Sequence, residues 1–245
     1  MTGHIFLVGA GPGDLGLITV KGLEILRSAE VVVYDALANP DLLKECPDAE
    51  LIDVGKRSNR HTMAQTDINE LLVSVGMNGK RVVRLKGGDP FLFGRGAEEA
   101  AALRRAGVGV SVIPGVSSSI SVPELAGIPI THRDHSPMVT FVTGHEMDGK
   151  MWHLDWRRLA EGMGTIVILM GMKNASAISV SLIEGGMSPD MPVSVTVNGS
   201  TDRERTVTSK LSELGGMIAK EGLEPPGIIV IGNVVSERTV LGDMG

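Results

Sequence analysis

Short apolar runs rich in β-branched residues recur along the whole chain, and helix-like segments separate them. In the first half the strand candidates are IFLVG, VVVYD, LIDVG, RVVRLKG and VSVIPG. The second half continues with VTFVTG, TIVILMG, VSVTVNG, RTVTS and GIIVIGNVV. Strands that alternate with helices are typical of α/β folds. Five strand candidates in each half therefore predict two α/β subdomains, each around a roughly five-stranded sheet.

Amphipathic segments fill the spaces between the first strands. They cover residues 19–28, 66–76 and 96–106. Thr19 is the predicted N-cap of the first helix, because its hydroxyl can accept a hydrogen bond from a free backbone N–H. The Pro-, Gly- and Ser-bearing segment PGVSSS, residues 114–119, is the best candidate for a joint. We expect domains over residues 1–113 and 114–245.

Composition excludes several classes of protein. The 245 residues are 42% hydrophobic and 21% charged, as in a soluble globular enzyme. The net charge of −6 argues against a nucleic-acid partner, since nucleic-acid binders carry a basic excess. The single cysteine, Cys46, excludes an internal disulfide and a multi-thiolate metal site. No signal peptide or membrane-length apolar run is visible, so we expect a cytoplasmic protein without a membrane partner.

The loop GAGPGDLG, residues 9–16, has the G-x-G-x-x-G spacing of dinucleotide-binding folds. Asp35 follows about twenty residues later, where such folds place a ribose-binding carboxylate. Two residues weaken that interpretation. Pro12 has no N–H to offer a pyrophosphate, and the carboxylate of Asp14 repels phosphate charge. A nicotinamide oxidoreductase is therefore an alternative rather than the first hypothesis.

Two further loops follow apolar strands and carry groups suited to a ligand. In RLKGGDPFLFGRG, Gly87 and Gly88 allow close backbone approach, and Asp89 can accept hydrogen bonds from hydroxyls. The segment PGVSSS adds hydroxyls and exposed amides. Open α/β sheets bind ligands at the carboxyl ends of parallel strands. The loops together predict a small-molecule site at that edge of the first sheet.

The segment HRDH, residues 132–135, raises the question of a metal. Protein metal sites need three or four ligands, and no sequence pattern supplies a third one here. The sequence therefore predicts no metal.

These motifs resemble the tetrapyrrole methylase family nearly from end to end. The similar segments are VGAGPGDLGLITVKG, VVYDAL, VGKR, RVVRLKGGDPFLFGRGAEE, VIPGVSSS, GIPITHRDHSP, VTGHE, LMGM and VNGS. The long GGDP block together with THRD is the most specific part. The resemblance implies two α/β domains with the active-site cleft between them, S-adenosyl-L-methionine as methyl donor, S-adenosyl-L-homocysteine as product, and a homodimer.

The resemblance also implies the reaction. The expected activity is methylation of uroporphyrinogen III at C-2 and C-7, which gives precorrin-2 through precorrin-1 in sirohaem or cobalamin biosynthesis. One alternative is a family methylase that acts on a later corrin precursor, on diphthine or on ribosomal RNA. Another is a tetrapyrrole-binding protein without catalysis.

Site residues follow from the matching positions of the family. Donor binding is implied for Pro12, Gly87, Gly88, Asp89, Leu92, Ser117, Ser118, Met170 and Gly199. Asp35 and Lys56 match the proton acceptor and the proton donor of the family. Where this chain has Ser117-Ser118, the family often has Thr-Ala, which makes the second contact less secure.

The implied chemistry needs few catalytic groups. A pyrrole carbon attacks the sulfonium methyl directly, so alignment supplies much of the catalysis. A base must then remove a proton, and Asp35 at a strand end suits this role, although it may instead only cap the next turn. The substrate carboxylates are expected to pair with basic side chains. The candidates are Lys56, Arg57, Arg60, His61, Arg95 and Arg133.

Overall fold

The computed structural model describes residues 3–55, 63–144, 154–162 and 164–245. The chain divides into two compact units, Met1–Ser117 and Ser118–Gly245. Each unit contains one five-stranded sheet with helices between its strands, as predicted from the sequence. Within the described ranges, every helix is too short or too polar to cross a membrane.

The first unit is built on a sheet whose strands all run parallel. Its strands are β1 (His4–Gly9), β2 (Val31–Tyr34), β3 (Glu50–Asp53), β4 (Arg81–Lys86) and β5 (Gly109–Ile113). Their spatial order is β3-β2-β4-β1-β5. Because all five strands are parallel, their carboxyl ends lie at one edge of the sheet, which is the edge that binds ligands in open α/β folds.

Three α-helices connect the strands of the first unit. They are α1 (Val20–Arg27), α2 (Gln65–Met77) and α3 (Gly96–Arg105). Each coincides with a predicted amphipathic segment to within two residues. The predicted cap is confirmed, because the Gly22 N–H donates to Oγ1 of Thr19 at 3.1 Å.

Apolar side chains bury both faces of this first sheet. On β1, Ile5 and Leu7 belong to one apolar cluster and Val8 to another, and all three are fully buried. A parallel sheet covered on both faces needs continuous apolar strands rather than alternating ones. Burial on both faces of the sheet explains why these strand segments are unbroken apolar runs in the sequence.

The second unit contains a mixed sheet. Its strands are β6 (Val139–Thr143), β7 (Thr165–Leu169), β8 (Pro192–Val197), β9 (Arg205–Lys210) and β10 (Gly227–Ile231). They lie in the order β6-β7-β10-β8-β9, and only β6 and β7 pair in parallel. Its helices are α4 (Ser118–Leu125), α5 (Trp156–Ala160), α6 (Ala175–Glu184), α7 (Leu214–Lys220) and α8 (Arg238–Leu241).

Alternate residues of the central strand β10 face two separate apolar clusters. Ile229 and Ile231 pack in one cluster, whereas Ile228 and Val230 pack in the other. Successive side chains of a strand point to opposite faces, so a fully apolar strand must be covered on both sides. The second sheet is thus also a central layer.

Candidate functional site

Three glycine-bearing turns contact one another at the carboxyl edge of the first sheet. The Gly88 N–H donates to the Gly11 carbonyl at 2.7 Å, and the Gly11 N–H donates back at 3.3 Å. A Cβ atom at Gly115 would lie 2.3 Å from the Gly88 carbonyl oxygen and 2.7 Å from the Gly9 Cα. The loops after β1, β4 and β5 therefore pack backbone against backbone, which only glycine allows.

Asp89 holds two of these loops together. Its Oδ1 accepts hydrogen bonds from the N–H groups of Phe91 and Leu92, at 2.8 and 3.1 Å. Its Oδ2 accepts from the Gly115 N–H at 3.1 Å. Oδ1 thus uses both of its lone-pair sites, whereas Oδ2 keeps one for a hydroxyl donor. Asp89 therefore shapes the edge of the site and keeps the capacity that the sequence predicted for it.

The first glycine loop lacks the geometry of a dinucleotide site. Asp14 accepts a hydrogen bond from Gly16 N–H at 2.7 Å and caps a short 3₁₀ helix, Leu15–Leu17. A dinucleotide fold instead places an α-helix N-terminus at this point, with its N–H groups directed at the pyrophosphate. Here α1 begins only at Val20. The structure therefore gives the nicotinamide alternative no support.

Asp35 follows directly after β2 and is held on one side only. Its Oδ2 lies 3.3 Å from Nη2 of Arg84, and its Oδ1 accepts from the Gly87 N–H at 3.4 Å. The side chain remains 27% exposed. Its hydrogen bond to Gly87 joins β2 to the GGDP loop after β4, so Asp35 does more than cap its own turn. A fixed and partly exposed carboxylate is suited to proton transfer.

A buried charge cluster lies directly behind Asp35. The side chains of Arg84 and Glu99 are 3% and 0% exposed, and Lys86 is also buried. The Glu99 Oε1 accepts from Arg84 Nε at 3.3 Å, Lys86 Nζ at 3.1 Å and Gln65 Nε2 at 3.3 Å. Buried charges persist in proteins only when they are paired in this way.

This cluster was not predicted from the sequence. In RVVRLKG, Arg84 and Lys86 look like polar residues in an otherwise apolar strand, and Glu99 looks like a surface residue of α3. The available signal was their spacing, because residues two apart in a strand lie on the same face. Two cations on one face of a buried strand require an acidic partner.

The pKa of Lys86 is affected by each charged side chain of this cluster. Burial lowers the pKa of its ammonium below the usual 10.5, and the neighbouring Arg84 charge lowers it further. The carboxylates of Glu99 and Asp35 oppose this shift. The lowered pKa shows that burial and the second cation outweigh the two anions.

In the second unit, two candidate residues lie on or beside backbone with positive φ. Met170 follows β7 with φ of 56°, and its residue surface is 53% exposed. Asn198 and Ser200, on either side of Gly199, have φ of 50° and 63°. A Cβ at Gly199 would lie 2.4 Å from Cγ1 of Val122. Non-glycine residues in the left-handed backbone conformation are found preferentially at functional sites.

The remaining candidates occupy different surroundings. Ser117 is buried, and Ser118 is the first residue of α4. Arg95 is half exposed and pairs with Glu98 at 2.7 Å. Several candidates lie outside the described residues: Lys56, Arg57, Arg60 and His61.

A family model described as Tetrapyrrole (Corrin/Porphyrin) Methylases matches residues 4–215. This chain belongs to the tetrapyrrole methylase family. The match covers the glycine loops and Asp35 of the first unit, and it extends into α7 of the second.

Two relatives are similar to this tetrapyrrole methylase over nearly its whole length. The S-adenosyl-L-methionine-dependent uroporphyrinogen III methyltransferase of Methanosarcina barkeri is 45% identical over 243 residues, 98% of this chain and 95% of its own length. The siroheme synthase of Chromobacterium violaceum is 44% identical over 95% of this chain but only 50% of its own length. The chain thus spans about half the length of such synthases and nearly all of the archaeal relative.

A solved structure shares the fold of this methylase. The uroporphyrin-III C-methyl transferase of Thermus thermophilus, complexed with S-adenyl homocysteine, is 38% identical and superposes with a TM-score of 0.81. The alignment covers 96% of this chain and 99% of that one. The predicted fold of two five-stranded α/β units is confirmed.

Proposed function

We propose that this chain transfers two methyl groups from S-adenosyl-L-methionine to C-2 and C-7 of uroporphyrinogen III. The products are precorrin-2, formed through precorrin-1, and S-adenosyl-L-homocysteine. The observation that carries the proposal is the position of Asp35, which is held against Gly87 of the GGDP loop and is still partly exposed. A proton acceptor therefore lies beside the loop that the family resemblance assigns to the methyl donor.

The carboxyl edge of the first sheet fits such a donor chemically. The edge offers backbone carbonyls and the carboxylate of Asp89, which suit a cationic ligand with hydroxyl and amino groups. Gly88 has φ of 64°, a left-handed conformation that glycine adopts without strain. When bound, the donor supplies an electrophilic methyl group on its sulfonium.

Family positions extend the proposed donor site. In the first unit they are Pro12, Gly87, Gly88, Asp89, Leu92 and Ser117, and in the second Ser118, Met170 and Gly199. The exposed thioether of Met170, on strained backbone, supports a contact with a ligand rather than with the core. Ser118 is the weakest member, because it replaces an alanine common in the family.

Catalysis then rests on positioning and on one proton transfer. Holding the two reactants in line is worth effective molarities of about 10⁵–10⁸ M. Asp35 accepts the proton that leaves the methylated macrocycle, and Arg84 holds the carboxylate in place from behind. Lys56 is the proposed proton donor. Basic residues of the segment 56–61, together with Arg133, are the proposed partners of the substrate carboxylates.

The wider assignments are proposals of the same kind. We place the enzyme in the cytoplasm as a homodimer that supplies sirohaem or cobalamin synthesis. A methylase of later corrin precursors is the main alternative, and the name of the Methanosarcina barkeri relative, a uroporphyrinogen III methyltransferase, favours the proposed substrate.

The deciding experiment is an anaerobic incubation with uroporphyrinogen III and S-adenosyl-L-methionine, followed by mass analysis. We expect a monomethylated and then a dimethylated product. Asp35→Asn keeps the shape of the side chain but removes the base, so turnover should fall about 10²–10⁴-fold. The matched control is Asp41→Asn, whose carboxylate is 53% exposed and pairs with Lys44. Methylation of a later corrin but not of uroporphyrinogen III would overturn the proposal.

A further inference from the structure

Two histidines and a glutamate converge in the second unit. The histidines flank Arg133 in the sequence, and none of the three residues is assigned above to the donor or to proton transfer. One ligand atom each from His132, His135 and Glu237 lies within 4.8 Å of the other two. His135 Nε2 is already 2.6 Å from Glu237 Oε1, and the two imidazole rings have centroids 4.9 Å apart. The third ligand that HRDH lacks in sequence is therefore present in space.

The two histidines lie on a well-defined turn. The His132 N–H donates to the Ser136 carbonyl at 2.9 Å, and the Ser136 N–H donates back at 2.8 Å. The Ser136 hydroxyl accepts from the N–H of Thr165, the first residue of β7, at 3.1 Å. Ser136 itself is only 4% exposed. The turn is thus joined to the second sheet, and its two imidazoles are held on the same side.

Glu237 is equally well supported. It ends a 3₁₀ helix, Asn233–Glu237, in which Val234 and Val235 are buried in the core. The next residue, Arg238, directs its guanidinium to Asp243 at 2.6 Å and to the Ala126 carbonyl. That cation is therefore engaged elsewhere. Metal sites need ligands held by packed backbone, and all three residues meet this condition.

From this arrangement we propose that His132, His135 and Glu237 bind a divalent transition-metal ion of the Zn²⁺ class. Two imidazoles and one carboxylate suit Zn²⁺, Ni²⁺ or Cu²⁺ far better than Mg²⁺ or Ca²⁺. Bonds of about 2.0–2.2 Å at tetrahedral angles place ligand atoms about 3.3–3.6 Å apart. The three ligand atoms here lie within 4.8 Å of one another, so side-chain rotations bring them to these separations. Three protein ligands leave one position for water.

Binding must displace two existing interactions. Nδ1 of His132 accepts a hydrogen bond from the Asp134 N–H at 3.2 Å, and His135 pairs with Glu237. The hydrogen bond from Asp134 to His132 is long and exposed. The contact between His135 and Glu237 already holds two of the proposed ligands together before a metal binds. Metal binding also requires both imidazoles in their neutral form.

The test is calorimetric titration of the untagged full chain with ZnSO₄ after treatment with a chelator, together with Co²⁺ absorption spectra. We expect one ion per chain and a tetrahedral Co²⁺ spectrum. Loss of even an outer-shell partner costs about 10–100-fold in affinity, so His135→Ala and Glu237→Gln should each weaken binding at least that much. Zn²⁺ should also raise the melting temperature of the wild type but not of either variant.

His4→Ala is the control, because His4 lies in the first unit and bonds Ser111 at 2.9 Å. It should leave Zn²⁺ affinity unchanged. Glu237→Gln keeps a hydrogen-bond partner for His135, so a folded variant is expected. If the wild type takes up no Zn²⁺, or if both site variants bind it as tightly, His135 and Glu237 form only an ion pair and the proposal is wrong. The readout does not depend on methyl transfer, so it stands or falls separately from the proposed activity.

Discussion

The interiors of the two units differ in the polar groups that they bury. Among the described residues, the buried charged side chains are Arg84, Lys86 and Glu99, all in the first unit. The second unit buries hydroxyl groups instead, such as those of Ser179 and Thr196. Charges are much costlier to bury than hydroxyls. The first unit therefore accepts an energetic cost at the point where Asp35 lies.

The second unit accepts a different cost. Ser179 Oγ donates to the Leu211 carbonyl at 2.5 Å, whereas the buried hydroxyls of Thr165 and Ser194 have no hydrogen-bond partner among the described residues. Both units contain non-glycine residues with positive φ, such as Phe93 and Arg95 in the first and Met170 and Asn198 in the second. The units therefore differ in what they bury, charged side chains in the first and hydroxyl groups in the second.

Replacing Arg84 should give the largest effect. Arg84→Met removes a partner of both Glu99 and Asp35, and breaking a buried ion pair costs about 3–5 kcal/mol. In the second unit, Ser179→Ala removes one hydrogen bond at about 1 kcal/mol. Urea denaturation of both variants measures the difference. Equal losses would contradict the contrast between charged and hydroxyl interiors.

Two glycine substitutions, one in each unit, should change the free energy of unfolding in opposite directions. Gly115→Ala forces a Cβ against the Gly88 carbonyl, and overpacking of this kind costs about 1–3 kcal/mol. Binding of S-adenosyl-L-homocysteine should weaken with it. Gly216→Ala in α7 meets no atom within 4 Å and should stabilise by about 0.5–1 kcal/mol through helix propensity. Thermal melts and calorimetry test both, and a destabilising Gly216→Ala would disprove the expectation for the second unit.

The pH dependence of stability should reveal Lys86. Its folded pKa is lowered below 10.5, so between these two values the unfolded chain binds the additional proton. The contribution of Lys86 to the free energy of unfolding therefore rises with pH between the folded pKa and 10.5, by at most about 1.4 kcal/mol per pH unit. Below the folded pKa, the destabilising contribution of Lys86 has its full size. Denaturation of wild type and Lys86→Met across alkaline pH gives the difference. If the free energy of unfolding of the wild type relative to Lys86→Met falls as pH rises through this range, the prediction is wrong.

Met170 should show the smallest effect on stability. Met170→Gly relieves a left-handed backbone but adds freedom to the unfolded chain, so the net change should stay within about 1 kcal/mol. Donor affinity should nevertheless fall, because the thioether is lost. The control Met172→Ala, at a residue 8% exposed, should cost about 2–5 kcal/mol. Unchanged affinity in Met170→Gly would remove Met170 from the proposed site.

Local patterns in the sequence were enough to predict the elements of the fold. All ten strand candidates are strands. In the central strands, such as β4 and β10, the apolar runs reflect burial on both faces of a sheet. The helices α1, α2 and α3 follow from apolar periodicity and from the Thr19 cap. The proximity of Asp35 to Gly87 depends on the pairing of β2 with β4, which the sequence did not predict.

Strand direction and distant partners required the tertiary structure. The antiparallel neighbours of β10 leave no local trace, because pairing depends on which backbones approach. The Arg84–Glu99 pair joins a strand to a helix, and Glu237 lies 102 residues beyond His135. The sequence by itself determined the ten strands and the helices α1 to α3, through capping and periodicities within a few residues. Only packing of the whole unit decided which charges and ligands meet, because such contacts join side chains that are distant in the sequence.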